Sequence, residues 1–237
     1  MKDLVLLILK RIPQYFSDFV SCLSAPKAFV RARNGDDQQA LAEAMIFLGI
    51  SFAISMILYW PLIPTQVESA RYLAGRALLN LILVAAATGA TLLGWRCVGG
   101  KAQFGRYFII TCYYWGVVLV CMTLILVCAF GVVKILDPEI YPIIVDASTR
   151  VQFSNPKLNE IFSGPDGTRH MTVSFIFSLF IVVFLPVAVT AWSILGWGAY
   201  REINGLTKRQ SFAAAMLASL FSFGLAIFST LFQSVMD

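Results

Sequence analysis

Charge is scarce in this chain: Asp, Glu, Lys and Arg together make up 13 % of its 237 residues, against roughly 25 % in a soluble domain. That shortage argues against a protein whose whole surface faces water. Histidine occurs once, at His170, and neither HExxH nor GxSxG is present, nor a Gly-rich phosphate loop behind a strand. The common hydrolase and nucleotide-binding signatures are therefore missing. Glu160 and Asp166 are the only neighbours with which His170 would suit acid–base or metal chemistry, and a polar residue at a membrane interface is the simpler reading. The five cysteines (Cys22, Cys97, Cys112, Cys121 and Cys128) include no CxxC pair, and three fall in one apolar run. A zinc site or disulfide framework is poorly supported by that spacing; the thiols read as small apolar residues. We expect no cofactor, no metal and no enzymatic activity.

What the chain has instead is apolar length. Hydrophobic residues make up 59 % and mean hydropathy is +0.78. Crossing about 30 Å of hydrocarbon takes around 20 helical residues, and five stretches meet that requirement: 41–63, 77–98, 107–133, 171–199 and 212–235. Tyr59, Trp60, Pro61 and Pro64 close the first, and Trp95 marks the end of the second. Pro186 lies near the middle of the fourth, where its missing N–H frees the carbonyl of Val182 and should bend the helix. The expected fold is all-α, a polytopic bundle of five transmembrane helices preceded by an amphipathic interfacial helix. Residues 1–38 form a cytoplasmic segment, and 39–237 a transmembrane domain with an outer loop at 134–170.

The net charge is +5, but the basic residues cluster between apolar runs. They do not form the continuous basic face that nucleic-acid binding requires, so no nucleic-acid partner is expected. Lys2, Lys10, Arg11, Lys27, Arg31 and Arg33 precede the first span, Arg96, Lys101 and Arg106 follow the second, and Arg201, Lys208 and Arg209 follow the fourth. These twelve fall on one side of the membrane and the other six on the opposite side. Positive-inside then places the amino terminus in the cytoplasm and Asp237 outside. The apolar run Leu4 to Leu9 is shorter than the roughly 7–15 residues of a signal-peptide core, so an uncleaved chain is expected.

Tyr15, Phe16, Phe19, Val20 and Leu23 draw one apolar stripe on a helix. With the basic group Lys10, Arg11, Lys27, Arg31 and Arg33 nearby, this segment either lies on anionic lipid or packs against the underside of the bundle. In the outer loop, Asn155-Pro156 suits the start of a short helix through Phe162. Ile140 to Val145 suits an interfacial dip or a short strand.

The centres of all five spans lack ionisable residues, which disfavours a proton-coupled mechanism. Small and weakly polar residues stand there instead: Ser51 and Ser55, Asn80, Ala85 and Gly89, Thr88 and Thr91, and Ala214 with Ala218. Such residues let helices approach closely. Ser51, Ser55, Asn80, Ala85, Gly89 and Pro186 are the candidate packing or interaction positions, and the buried amide of Asn80 should need a partner. Tyr113, Tyr114 and Trp115 form either an aromatic cage for a cationic headgroup or ordinary core. Leu93-Gly94-Trp95 is echoed by Leu195-Gly196-Trp197, each followed by a Lys and a Gln, as a parallel helix-pair repeat would produce. Thr207 and Gln210 suit a capping box opening the last helix.

Five spans, Ser24-Ala25-Pro26 before the first, Gly99-Gly100-Lys101-Ala102-Gln103-Phe104 leading into the third and Leu206-Thr207-Lys208-Arg209 leading into the fifth together resemble the Ypt/Rab-interacting-protein (YIP) membrane family. The likeness runs from about Leu23 to Phe232. It implies a five-span bundle and, for eukaryotic members, a role in Golgi traffic with small GTPases. This chain has a short amino-terminal segment without their Asp-Leu-Tyr-Gly-Pro motif, so it is closer to the bacterial branch, with a plasma (bacterial inner) membrane location. The expected function is a non-catalytic membrane scaffold or adaptor whose partners are membrane lipids and another membrane protein or a second copy. A small transporter or channel subunit is the alternative.

Overall fold

The computed structural model describes residues 2–33, 38–60, 69–138, 141–142 and 176–236. Within them the chain is all-helical: α1 (Lys2–Ser24), α2 (Pro26–Arg33), α3 (Gln38–Tyr59), α4 (Ser69–Cys97), α5 (Phe104–Leu136), α6 (Ile176–Asn204) and α7 (Lys208–Met236). Four of these helices contain stretches long and apolar enough to cross a membrane: Gln38–Tyr59, Ala77–Cys97, Phe104–Leu136 and Phe180–Asn204. Most of the loop 134–170, with His170, Glu160, Asp166, the segment expected at 155–162 and all of that expected at 140–145 except the helical Tyr141 and Pro142, lies outside the described residues.

Helix boundaries follow local capping chemistry more than hydropathy. α4 ends in a Schellman motif, with the Gly100 N–H on the Trp95 carbonyl (2.7 Å) and the Gly99 N–H on that of Arg96 (3.1 Å). α6 ends the same way, the Leu206 and Gly205 N–H groups reaching Arg201 and Glu202 at 3.3 and 3.1 Å. Gly99 and Gly205 carry φ of +95° and +62°, values that a Cβ disfavours. α7 opens on the expected capping box: the Thr207 N–H donates to Gln210 Oε1 (3.1 Å) and the Gln210 N–H to Thr207 Oγ1 (3.4 Å). α1 continues through Pro13, and Pro26 takes the first position of α2, where its missing N–H costs nothing.

The chain divides into two compact units. The first comprises Met1–Ser51, Gly75–Val117 and Trp192–Asp237. Residues 1–38 thus share one unit with parts of α3 to α6 and with α7. Its core holds an aromatic relay: Tyr15 on α1 stands 4.9 Å from Phe47 on α3, Phe47 stands 5.0 Å from Tyr113 on α5, and Tyr113 stands 5.0 Å from Phe29 on α2. Gly116 makes the relay possible, since a Cβ there would lie 2.7 Å from Ser51 Oγ and 2.8 Å from the Phe47 ring. The second unit comprises Phe52–Ala74 and Val118–Ala191. There Thr123, Ile125, Ala129 and Val133 of α5 are buried, and Ser178 Oγ of α6 donates to the Ala129 carbonyl at 3.2 Å. α6 continues through Pro186, and Thr190 Oγ1 bonds the Pro186 carbonyl at 2.8 Å.

Candidate functional site

The densest side-chain chemistry lies in the first unit, where α2 meets the end of α6. Glu202, in the last turn of α6, receives three hydrogen bonds of 2.8–3.0 Å from Arg31 Nε and Nη2, and Lys27 Nζ lies against its Oε1. Lys27 and Arg31 are four apart on α2, so one helical face presents both cations to one carboxylate. Two residues further on, Arg33 bridges Asp18 of α1 (2.7 Å) and Glu43 of α3 (3.3 Å), and its guanidinium lies 5.7 Å from the centre of the Phe29 ring. α2 is thereby tied to three helices. Burial outweighs the attraction of Arg33 and pushes the Asp18 carboxyl above its ordinary range. Burial likewise pushes the Cys22 thiol up to about 12.

Beside the Glu202 cluster opens a cavity of about 290 Å³ lined by Lys27, Val30, Arg31, Arg106, Ala199, Glu202 and Ile203. A second, of about 20 Å³, has room for little more than a water and lies among Arg11, Asp18, Glu43 and Phe47. Arg11 itself donates to Gln14 Oε1 at 2.7 Å.

Asn204, the last residue of α6, holds the α4–α5 turn against that helix. Its Oδ1 accepts from the Ala102 N–H (3.2 Å) and the Tyr107 hydroxyl (2.9 Å), and its Nδ2 donates to the Tyr200 carbonyl (2.7 Å). Thr111 donates to the Tyr107 carbonyl (2.8 Å), so the 3.0 Å bond between Thr111 and Tyr200 takes its proton from the Tyr200 hydroxyl. Tyr114 donates to the Gly196 carbonyl at 2.9 Å, and Trp192 Nε1 donates to the Leu23 carbonyl at the end of α1 (2.9 Å).

The two Leu-Gly-Trp segments meet. Trp95 and Trp197 stack with ring centres 5.5 Å apart and planes 21° apart. A Cβ at Gly94 would lie 2.7 Å from the Ala214 carbonyl oxygen of α7, and one at Gly196 would lie 3.0 Å from the Tyr114 ring of α5. Each glycine thus packs on the second helix of the other pair. The echo is out of register with the turns, because Trp95 stands four residues before Gly99 and Trp197 eight before Gly205. Accordingly Trp197 Nε1 donates to the Ser211 carbonyl (3.1 Å), whereas Trp95 Nε1 is buried without a partner among the described residues.

The other sequence-derived candidates fall as follows. Ser51 is fully buried and shares a 3.0 Å hydrogen bond with the Tyr15 hydroxyl. Ser55, in the second unit, is buried with its hydroxyl unbonded among the described residues. Asn80 is partly exposed on α4. Ala85 is exposed and a Cβ at Gly89 would meet nothing within 4 Å; on α4 the close approach is instead at Gly94, against Ala214 and Ala218 of α7. Tyr113 and Tyr114 are core residues rather than a solvent-open cage. Of the α1 stripe, Tyr15 is buried while Phe16, Val20 and Leu23 are exposed. Of the basic group, Lys27, Arg31 and Arg33 share the α2 network, and Arg11, bonded to Gln14, lines the small cavity beside Asp18 and Glu43; the Lys10 side chain lies outside those described. All five cysteines are free thiols. Glu202, Arg106 and Asn204 carry more of the site than sequence reasoning assigned them. The signals available were the acid four residues before the Leu206-Thr207 turn and the Asn-Gly step at a helix end.

These features define the class: a protein whose described elements are all helices, four of them suited in length and composition to crossing a membrane. Comparison with family models, curated proteins and solved structures gave no match.

Proposed function

We propose that this protein is a non-catalytic integral membrane scaffold or adaptor of the YIP kind, with membrane lipids and another membrane protein or a second copy as partners. In this reading α7 is the fifth span. The amino terminus is cytoplasmic, Asp237 is outside, the membrane is the bacterial inner membrane, and α1 lies at its inner surface with Phe16, Val20 and Leu23 toward lipid. The observation that carries the proposal is the use of buried hydroxyls in the first unit. Ser51 is bonded to Tyr15, Thr88 to the Val84 carbonyl and Thr111 to Tyr107 and Tyr200. A solute path needs polar groups turned toward the solute; here Ser51 and Thr111 join helices to each other through Tyr15 and Tyr200, and Thr88 is spent on the backbone of its own helix. The open face of α4 at Ala85 and Gly89 suits close approach of another helix.

The test is crosslinking with blue-native electrophoresis after gentle extraction. A discrete complex is expected; a solitary monomer under every mild condition contradicts the proposal. One observation favours the rival reading of a transporter or channel subunit, namely the buried hydroxyl of Ser55, which has no hydrogen-bond partner among the described residues. Solute flux in reconstituted liposomes that is lost on Ser55→Ala, Asn80→Ala or Pro186→Ala would establish that rival.

A further inference from the structure

We infer that the cavity between α2 and the facing ends of α5 and α6 is a binding site for a phosphate-bearing anion, and specifically for the headgroup of an acidic phospholipid. The inference rests on the membrane reading above and deepens it by naming a ligand class and a place.

Charge is the first argument. Lys27 and Arg31 line the cavity against the carboxylate of Glu202, with Arg106 also in its wall, so the two cations of α2 meet one carboxylate. Tying α2 to α6 needs only one cation for that carboxylate, and the surplus attracts an anion.

Donor geometry is the second. Among the described residues Arg31 bonds Glu202 through Nε and Nη2 alone, which leaves both N–H groups of Nη1 for another acceptor. Lys27 has three N–H bonds and directs one at Glu202. The Arg31 side chain is 67 % exposed, and an ion pair so open to water is weak. It can therefore be shared with a phosphate, for which a guanidinium fork is the matching donor.

The third argument is shape and place. The cavity holds about 290 Å³, and Val30, Ala199 and Ile203 form its apolar part. An inorganic ion uses no apolar wall, whereas the glycerol and first methylenes of a lipid do. Arg106 stands in the first turn of α5 and Glu202 in the last turn of α6, both at an end of a helix suited to crossing the membrane. Headgroups lie at that level, and the surface of an acidic leaflet concentrates them around basic residues.

The full-length chain is reconstituted in nanodiscs of phosphatidylcholine with a minor fraction of phosphatidylglycerol, and retained lipid is measured by native mass spectrometry. Wild type should retain phosphatidylglycerol about tenfold over phosphatidylcholine, and the triple variant Lys27→Gln, Arg31→Gln, Arg106→Gln should lose that preference, as loss of charge-assisted bonds requires. Lys208→Gln, outside the cavity, should leave it intact. Glu202→Gln provides the variant that misfolding cannot imitate: it raises the surplus charge and frees Lys27 and Arg31, so retention should increase several-fold. An unchanged triple variant, or weaker retention with Glu202→Gln, overturns the site. Inorganic phosphate is the second probe. If it displaces the lipid at matched concentration, a phosphate site stands and its assignment to lipid falls. A chain that crosslinks to a partner but shows no acidic-lipid preference refutes this inference and leaves the scaffold proposal standing.

Discussion

Gly89 and Gly94 lie five residues apart on α4 and meet opposite surroundings: open space at the first, the backbone of α7 at the second. Gly94→Ala must push α4 from α7, because the obstructing atoms are a carbonyl oxygen and a backbone nitrogen that cannot rotate away. We expect it to cost about 1–3 kcal/mol, as overpacking does, while Gly89→Ala leaves the melting temperature of the chain unchanged or slightly raised. Thermal unfolding in one detergent compares the two. Asp18 gives a prediction with a sign. Its native pKa is raised, so ionisation is harder in the folded than in the unfolded chain. Its contribution to stability is complete below the ordinary aspartate value and is lost as pH rises through the native one. Asp18→Asn should therefore match or exceed wild-type stability at pH 7, with Arg33 still held by Glu43, and the gain should shrink as pH falls into the carboxylate range. Unfolding measured at both pH values checks this; a large loss at pH 7 contradicts it. Side chains like these were only partly legible in sequence. Small residues on α4 were visible, but which of them touches a neighbour depends on how the helix is rotated about its axis, and a window of similar apolar residues on all sides does not encode that.

The elements were read more securely where local chemistry ends them. Gly99, Gly205 and the Thr207–Gln210 pair act within one or two turns of their own position, so spacing alone was enough to anticipate the capping box. Gly205→Ala forces a Cβ into the left-handed region, with an expected loss of about 1–2 kcal/mol, and Thr207→Ala removes the cap at about 1 kcal/mol. Both should lower the unfolding midpoint and raise hydrogen exchange over residues 201–210 ahead of the rest of the chain. α1 was harder to read. Its stripe was visible, but the fold divides it: Tyr15 packs on Phe47 and Ser51, while Phe16 and Val20 remain exposed. The division follows from helix geometry, since residues 15 and 16 point about 100° apart.

For the whole molecule, the proposed topology places the two termini on opposite sides of the membrane. A reporter fused after Asp237 should be active outside the cytoplasm, and a cytoplasmic signal would remove α7 as a fifth span. If the open face of α4 is where another helix docks, Gly89→Leu should abolish the crosslinked complex and leave monomer stability unchanged, the reverse of what Gly94 substitutions do.

Composition and run length by themselves determined that the described chain is helical and that four of its helices are suited to a membrane, because hydropathy over twenty residues is a local sum that needs no partner. The turns that end α4 and α6 were likewise fixed by residues a few positions apart. Only the tertiary structure decided that Arg31 and Lys27 would converge on Glu202, more than 170 positions away from either. It alone decided that Gly94 would rest on Ala214 and that a charged cavity would open beside Arg106. Such pairings depend on how helices rotate and cross, and those angles follow from the packing of all of them at once.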